Sequence, residues 1–365
     1  MGSQLRLVAI IMTVMVASCW MQFLGVSGQQ GIPQFKPRSQ NNNNNNMGGS
    51  GGGGGNSGGS GGGHPQLSID FYKASCPQVE QVIEHKMQAI LQRDPAQAAG
   101  ILRIMFHDCF VQGCDASILL EEPVTEQIAT PNNASIRASS LRVLDEIKEA
   151  VEAECPEIVS CADTIILSTK IAVSLVGGPS IPMETGRRDS ISAASNQTVV
   201  NNIPPPTLNI TALKQNFQNH GLDIKDLVSL SGGHSIGQAH CRFVDPQITP
   251  TVSTDLNMGF AFNLSRICLP ANNPAKAGLT VHLDFITKDL FDNAYFKNVM
   301  AKVAIFHTDA ALLNASDTMQ LVQQYAEDQA LFFEQFSLSM IKMSKLGVLT
   351  GEQGVIRKKC TTPNY

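Results

Sequence analysis

The stretch Gly100–Leu120 reads GILRIMFHDCFVQGCDASILL and combines an arginine, a histidine, two aspartates and two cysteines with many apolar residues. Arg103 and His107 are four residues apart, so on a helix they lie on one face, one turn from each other. Asp108 points to a different face. The sequence therefore predicts a base beside a cation on one side of this helix and a second, oxygen-rich site on the other.

The oxygen-rich site continues into the turn after the helix. A disulfide between Cys109 and Cys114 would close a small loop there. It would gather oxygen atoms of four neighbouring residues, namely the carboxylates of Asp108 and Asp115 and the carbonyl groups of Val111 and Gly113. Tightly tethered loops rich in oxygen ligands suit calcium. A single histidine on an apolar face is more often a core residue, and it is the cluster that favours a functional site.

Composition and the N-terminal residues indicate a secreted globular protein. The chain has 365 residues, 43% of them hydrophobic, and a net charge of -5, which argues against a nucleic-acid partner. Residues 1–28 carry one early arginine and an apolar run, as in a secretory signal peptide, with an uncleaved membrane anchor as the alternative. Residues 29–65 are rich in Asn, Gly and Ser, which predicts a disordered extension before a folded domain at 66–365.

The cysteines and the spacing of apolar residues indicate the fold class. Of nine cysteines, Cys19 belongs to the expected signal peptide, and the remaining eight imply a disulfide framework with 105 possible pairings. Apolar residues recur at helical spacing in most long segments, so the domain is expected to be mostly α-helical. We expect Asp317 to cap one long closing helix. Five glycosylation sequons fit a secreted protein: Asn133, Asn196, Asn209, Asn263 and Asn314.

A second histidine motif lies at 227–241, LVSLSGGHSIGQAHC, where His234 follows two glycines at the end of an apolar helix. Taken alone, such a histidine is more often structural than a metal ligand. A zinc site using His234 and His240 is disfavoured, because their spacing fits no common ligand pattern and no general-base glutamate accompanies them.

Together these motifs resemble a known family. LRIMFHDCFVQGCDASILL closely resembles the distal signature of the secretory plant haem peroxidases, class III or horseradish type, and SGGHSIG resembles their proximal motif. The resemblance spans about Gln66 to Tyr365. It implies a helical sandwich that holds one noncovalent haem b between a distal half with His107 and a proximal half with His234. The chain contains no CxxCH motif for covalent attachment.

The resemblance also implies roles for the site residues. His107 would act as general base and then general acid toward hydrogen peroxide, Arg103 would stabilise the developing charge, and Asn132 would keep His107 basic. His234 would bind the haem iron, with Asp309, in a loop, as its hydrogen-bond partner. Two further residues are implied at the haem cavity, Phe106 and Ser135.

Two calcium sites follow from the same resemblance. The first comprises Asp108, Val111, Gly113, Asp115 and Ser117, with Glu126 linked to it through water. The second comprises Ser235, Asp284, Thr287, the carbonyl group of Leu290, and Asp292. The second site adjoins His234, so loss of its calcium is expected to disturb the iron as well as the fold.

The resemblance selects one disulfide pairing and a donor site. The implied bonds are Cys76–Cys155, Cys109–Cys114, Cys161–Cys360 and Cys241–Cys268. Pro204 would orient a phenol hydroxyl at the haem edge and Phe243 would line the pocket. Buried Asp163 is expected to pair with an arginine of Gly186-Arg187-Arg188. The sequence departs from the family at Ile181, where tryptophan is usual, and at Leu283, where a phenylalanine often packs against the axial histidine.

The sequence thus predicts a secreted, monomeric haem peroxidase that uses hydrogen peroxide to oxidise small phenolic donors in the extracellular space or cell wall. No nucleic acid is expected as a partner, and no membrane after signal removal. The alternative is a wall-binding protein of the same fold, in which residues 29–65 make the contact and enzymatic activity is incidental.

Overall fold

The computed structural model describes residues 67–121, 124–269, 273 and 278–363. The expected signal peptide at 1–28 and extension at 29–65 lie outside the described residues. Within the described ranges the chain is mainly helical, as the periodicity predicts, and none of its helices combines the length and apolar composition needed to cross a bilayer.

The elements follow one another along the chain as helices interrupted by one small sheet. The α-helices are α1 Val79–Arg93, α2 Gln97–Val111, α3 Thr130–Ser135, α4 Ala138–Glu154, α5 Cys161–Leu175, α6 Asn196–Asn202, α7 Ile210–Asn219, α8 Ile224–Ser231, α9 Cys241–Ile248, α10 Met258–Cys268, α11 Ala294–Met300, α12 His307–Ala311, α13 Ser316–Glu327 and α14 Gln329–Met343. Two 3-10 helices span Ser117–Leu119 and Gly232–Ser235. Strands β1 Gln238–His240 and β2 Thr280–His282 pair antiparallel, with Gln238 opposite His282.

The main core forms around α2, which packs against α4 and α5, while α1 packs against the same two helices. Ile101, Ile104 and Met105 of α2 are fully buried in this core. Each such side chain stabilises the fold by about 1.5–3 kcal/mol through burial. The core therefore fixes the orientation of the helix that carries His107.

A second, smaller apolar cluster surrounds the two-stranded sheet. It includes Val244 of α9, Leu264 of α10 and Leu283 beside β2. The disulfide Cys241–Cys268 joins the start of α9 to the end of α10. This cluster supports the segment that follows His234.

Four disulfides form, and their pairing is the one implied by the family resemblance. Cys76–Cys155 and Cys161–Cys360 close segments of 79 and 199 residues. In the chain-entropy treatment, loops of that length stabilise the fold by roughly 4–5 kcal/mol each. The short Cys109–Cys114 bridge fixes the turn after α2 instead.

Asp163 is fully buried and pairs with Arg187, so the expected ion pair uses the first of the two arginines. Arg187 Nη1 lies 2.9 Å from Asp163 Oδ1, and the Tyr72 hydroxyl donates to Oδ2 at 2.8 Å. Arg188 instead donates to the carbonyl group of Gly354. Breaking such a buried pair from one side costs about 3–5 kcal/mol.

The expectation that Asp317 caps one long closing helix is wrong. Residue 317 lies inside the first turn of α13, which starts at Ser316, and its carboxylate bonds to Lys214 at 2.6 Å. The run divides at Asp328, whose backbone is extended and whose side chain accepts a hydrogen bond from the amide of Leu331 at 3.0 Å. Asp328 is therefore the cap, and it begins α14 as a separate helix.

Candidate active site

The buried His107 of α2 is held in one tautomer by its neighbours. Its Nδ1 lies 2.7 Å from Asn132 Oδ1, and Asn132 Nδ2 donates to the carbonyl group of Glu126 at 2.9 Å. That donation fixes the amide orientation and leaves Oδ1 as an acceptor, so Nδ1 carries the proton. The other nitrogen, Nε2, is buried with no hydrogen-bond partner in the described part of the chain. It is available as a base.

Arg103 lies one turn before His107 and supports that basic, neutral state. Burial lowers the pKa of His107 well below its usual value, and the positive charge of Arg103 lowers it further, against the opposing hydrogen bond to Asn132. Arg103 Nη2 donates to Ser135 Oγ at 3.0 Å. Desolvation lowers the pKa of the guanidinium to about 10, which leaves it charged at neutral pH. The pair is therefore a neutral base beside a cation.

His234 lies in the 3-10 helix Gly232–Ser235 and has a charged partner. Its Nδ1 lies 2.9 Å from Asp309 Oδ1, and the Tyr295 hydroxyl donates to the same oxygen at 2.8 Å. The backbone amide of Phe306 contacts Oδ2 at 3.4 Å. With Nδ1 engaged, Nε2 is the ring atom left for a ligand. The expectation that Asp309 lies in a loop is wrong, because it is the third residue of the short helix α12.

Two glycines beside His234 lie close to residues of α2. A methyl group built on Gly233 would lie 3.4 Å from Leu102 Cδ2, and one on Gly237 would lie 3.0 Å from Ala99 Cβ. Gly237 also has φ +103°, which side-chain-bearing residues rarely adopt. The segment carrying His234 therefore approaches the helix that carries Arg103 and His107 at Ala99 and Leu102.

These residues fit a haem iron between two histidines. One imidazole has a carboxylate on Nδ1 and a free Nε2, the usual arrangement of a metal-binding histidine. The other has a buried, unpaired Nε2 within the described ranges, next to a guanidinium that also keeps an unpaired Nε. The first suits ligation of iron, and the second suits the handling of protons and charge at a bound oxidant.

The first expected calcium site contains buried oxygens that lack protein partners among the described residues. They are Asp108 Oδ1, Ser117 Oγ and Glu126 Oε1. Burial, then the charge of Asp115, raises the pKa of Asp108 well above its usual value, and burial raises that of Glu126 to about 7. A divalent cation would offset these like charges and satisfy the oxygens, so the set fits calcium.

The second expected calcium site also has buried oxygens without protein partners in the described chain, and it adjoins His234. Asp284 Oδ2 and Thr287 Oγ1 are buried and have no hydrogen-bond partner in the part of the chain described. Ser235 Oγ contacts the carbonyl oxygen of Leu290 at 3.2 Å and accepts from the amide of Asp292 at 2.9 Å. Direct contacts thus bring together three of the residues expected at the second calcium site, namely Ser235, Leu290 and Asp292.

Aromatic rings extend from His234 toward the expected donor site. The Phe306 ring lies 5.2 Å from the His234 ring, and the Phe243 ring lies 6.3 Å from Phe306. The half-buried Pro204 belongs to a segment anchored by the amide of Thr308, which donates to the carbonyl group of Pro206 at 3.2 Å. The donor-site residues are therefore connected to the helix that carries Asp309.

Two residues beside His234 escaped the sequence reasoning. Tyr295 donates to Asp309, and Phe306 packs on the imidazole where the sequence offers only Leu283 at the expected aromatic position. Their signals were weak: Tyr295 follows the calcium-loop residue Asp292 by three positions, and Phe306 precedes Asp309 by three. Neither spacing alone indicates contact with a histidine sixty or more residues away.

Comparison with known proteins places the chain in a family. The family model described as Peroxidase matches residues 83–328. "Peroxidase 12" of Arabidopsis thaliana is 41% identical over 301 residues, covering 82% of this chain and 83% of the relative. "Cationic peroxidase SPC4" of Sorghum bicolor is 41% identical over 305 residues, with 82% and 83% covered. "Peroxidase 4" of Vitis vinifera is 40% identical over 302 residues, with 82% and 92% covered.

The matched region runs from within α1 to the end of α13 and includes Arg103, His107, His234 and Asp309. Identity of about 40% across four-fifths of the chain far exceeds what a shared fold alone would require. The chain therefore belongs to the peroxidase family, as a haem-containing plant peroxidase of class III that uses hydrogen peroxide as its oxidant.

Proposed function

We propose that this enzyme is a secreted peroxidase that oxidises small phenolic donors, one electron at a time, with His107 and Arg103 acting on hydrogen peroxide and His234 binding the iron. One observation carries the assignment of the base. His107 Nε2 is buried, unprotonated and unpaired in the described structure, while Nδ1 is fixed by Asn132. An imidazole held in this way is prepared for proton transfer.

Haem b held by His234 would supply the iron that accepts peroxide and the oxidising equivalents that the donors consume. The Asp309 carboxylate orients His234 and draws its Nδ1 proton, which makes Nε2 a stronger electron donor. Phe306 limits tilting of the ring. Phe106 and Ser135 are proposed to border the cavity, and Ser135 already positions the Arg103 side chain.

His107 would first accept the proton of the peroxide oxygen nearer the iron and then deliver it to the departing oxygen. Its low pKa keeps the ring neutral and able to accept that proton. The charged guanidinium of Arg103 would stabilise the negative charge that builds on the departing oxygen. Asn132 holds the imidazole in the tautomer that makes this sequence possible.

Donor binding is proposed at the segment around Pro204, whose carbonyl oxygen would accept a hydrogen bond from a phenol hydroxyl. The neighbouring Phe243 would offer an apolar face to the donor ring. The segment has a fixed backbone, because Asn216 Nδ2 donates to the carbonyl group of Asn202 at 3.0 Å and Thr308 N to that of Pro206. A rigid rim suits donors that bind briefly and leave as radicals.

We further propose two bound calcium ions and secretion as a monomer to the extracellular space or cell wall. The unpaired oxygens of Asp108, Ser117 and Glu126, and of Asp284 and Thr287, support the two metal sites within the described chain. Four disulfides fit an oxidising destination. The apolar N-terminal segment and the sequons support the same route.

The test measures the haem spectrum of the purified protein and its turnover of guaiacol with peroxide. We expect a Soret band, donor oxidation, and a loss of roughly 10²–10⁴-fold in the rate with peroxide for His107→Ala, with haem retained. His85→Ala is the matched control, because His85 is exposed on α1. A protein with haem whose rate is indifferent to His107 would contradict the proposed role. Loss of wall binding on deletion of 29–65, with no peroxidase turnover, would favour a binding protein.

A further inference from the structure

The carboxylate of Asp309 accepts hydrogen bonds from two side chains through one oxygen atom. His234 Nδ1 lies 2.9 Å from Asp309 Oδ1, and the Tyr295 hydroxyl lies 2.8 Å from the same atom. Tyr295 is 1% exposed and Asp309 is 3% exposed, so water competes little with either bond. Burial and the charge of Asp309 raise the pKa of Tyr295 well above its usual value, which keeps the phenol protonated as the donor.

We propose that Tyr295 is a positioning residue that sets the electron-donor strength of His234 by sharing the Asp309 oxygen. The proposal rests on the proposed function, in which His234 binds the haem iron. It assigns to Tyr295 a role in tuning the iron that neither the family match nor the histidine motifs specify.

The physical argument concerns competition for charge on one oxygen. Each hydrogen bond donated to a carboxylate oxygen draws electron density from it, so the second donor meets a weaker acceptor. With Tyr295 bonded, Asp309 draws the Nδ1 proton of His234 less strongly. Without the phenol, His234 gains imidazolate character, binds the ferric state more tightly, and lowers the reduction potential of the iron.

The position of Tyr295 is tied to the second expected calcium loop. Helix α11 begins two residues after Asp292, and Asp292 Oδ1 accepts a hydrogen bond from the amide of Ala294 at 2.7 Å. Tyr295 is the second residue of that helix. The loop that would bind calcium therefore also aims the phenol at Asp309. This places the hydroxyl on a rigid element, as a tuning group requires.

The experiment measures two properties of the haem-loaded protein that donor turnover does not report. They are the midpoint potential of the ferric/ferrous couple and the iron–histidine stretching band of the reduced protein. For Tyr295→Phe we expect a lower midpoint potential and a higher stretching frequency than in the wild type. Tyr325→Phe is the matched control: Tyr325 is also buried, and its ring packs on Phe296 and Phe332. It should change neither property.

A double-mutant cycle separates hydrogen bonding from packing. In an Asp309→Asn background the shared carboxylate is gone, so Tyr295→Phe should shift the potential much less than it does in the wild type. An equal shift in both backgrounds would overturn the proposal, because it would reflect packing alone. Replacing Tyr295 by 3,5-difluorotyrosine keeps the hydroxyl and strengthens its donation, so the potential should rise.

The outcomes distinguish this inference from the proposed function. A wild-type protein whose haem lacks histidine ligation would overturn the proposed role of His234, and this inference with it. A histidine-ligated wild type whose potential and stretching band are the same after Tyr295→Phe would overturn only the role of Tyr295. Opposite shifts for phenylalanine and difluorotyrosine, both suppressed by Asp309→Asn, would support it.

Discussion

The two histidines of the site use the same ring atom but bond it to different acceptors. His107 directs Nδ1 at the neutral amide of Asn132, whereas His234 directs Nδ1 at the carboxylate of Asp309. His107 is fully buried next to the positive charge of Arg103, while the side chain of His234 is 28% exposed. The contrast lies in what surrounds each imidazole.

This difference matches the two roles proposed for the histidines. A neutral acceptor fixes the tautomer and stabilises the imidazolium less than a carboxylate would, so burial and the charge of Arg103 keep His107 neutral. A charged acceptor increases the electron density on the ring, which suits the metal-binding role proposed for His234. Four experiments test or sharpen this contrast.

Removing each ring should separate ligation from proton transfer. We expect His234→Ala to purify with most of its haem missing, because the axial bond is lost, whereas His107→Ala keeps haem and loses the peroxide reaction. The measurement is the haem content per chain. Free imidazole should restore binding to His234→Ala and leave the haem content of His107→Ala unchanged. Equal haem loss in both variants would show that the two roles are not divided as proposed.

Exchanging the neutral acceptor for a charged one should move the pH dependence. In the wild type, the pKa of His107 lies well below the usual histidine pKa. His107 therefore stays neutral even when the pH falls below that usual pKa. Asn132→Asp places a negative charge at Nδ1 and stabilises the imidazolium, which raises this pKa.

Below its new pKa the Asn132→Asp variant should lose rate with peroxide about tenfold for each pH unit. The measurement is the second-order rate constant between pH 5 and 8. Asn133→Asp, at the exposed neighbouring position, is the control and should keep the wild-type profile. A variant profile that matches the wild type would show that Asn132 does not control the state of His107.

Weakening each expected calcium site should affect a different histidine. Asp284→Asn alters the loop that holds Ser235 beside His234, and we expect it to weaken calcium binding about tenfold and to shift the iron–histidine band. Asp108→Asn alters the residue after His107, and we expect it to lower the rate with peroxide while the band stays in place. Calcium titration of the chelated protein, followed by both signals, checks this. Identical spectral responses would contradict separate sites.

Removing the ring that packs on His234 should have the smallest effect. Phe306→Leu loses an aromatic contact at 5.2 Å and should lower the free energy of unfolding by about 1 kcal/mol. The measurement is denaturant unfolding of the haem-loaded protein. Phe262→Leu, at a ring that is 64% exposed, is the control. If the two positions supply alternative rings against His234, combining Phe306→Leu with Leu283→Phe should recover part of the lost stability. No recovery would show that a ring at position 283 cannot replace Phe306.

The local features of the site were predictable from the sequence. Arg103 and His107 share a helical face because they are four residues apart. The helical class likewise follows from apolar periodicity. The division of the C-terminal apolar run into two helices was harder to predict, because the apolar spacing continues across Asp328. Only the capping geometry of Asp328 separates α13 from α14.

Contacts between distant segments were not predictable from spacing. Asp309 meets His234 across 75 residues, and Asn132 meets His107 across 25, so both were expected only through the family resemblance. Tyr295 and Phe306 converge on the same point by packing in the folded core. A sequence read without relatives gives no distance between such segments, because the chain between them can follow many paths.

Glu126 contacts Asn132 through its backbone and other parts of the site through its side chain. Its carbonyl oxygen accepts from the side-chain amide of Asn132. Its carboxylate accepts from the amide of Ala194 at 2.9 Å, and the other carboxylate oxygen is buried with no hydrogen-bond partner among the described residues. Asn132, which orients His107, is therefore held by a backbone carbonyl oxygen, an atom that any amino acid at position 126 would supply. We expect substitutions at this position to change the proposed metal binding while the contact to Asn132 stays intact, which makes residue 126 a place where a designer could separate metal binding from the proton chemistry proposed for His107.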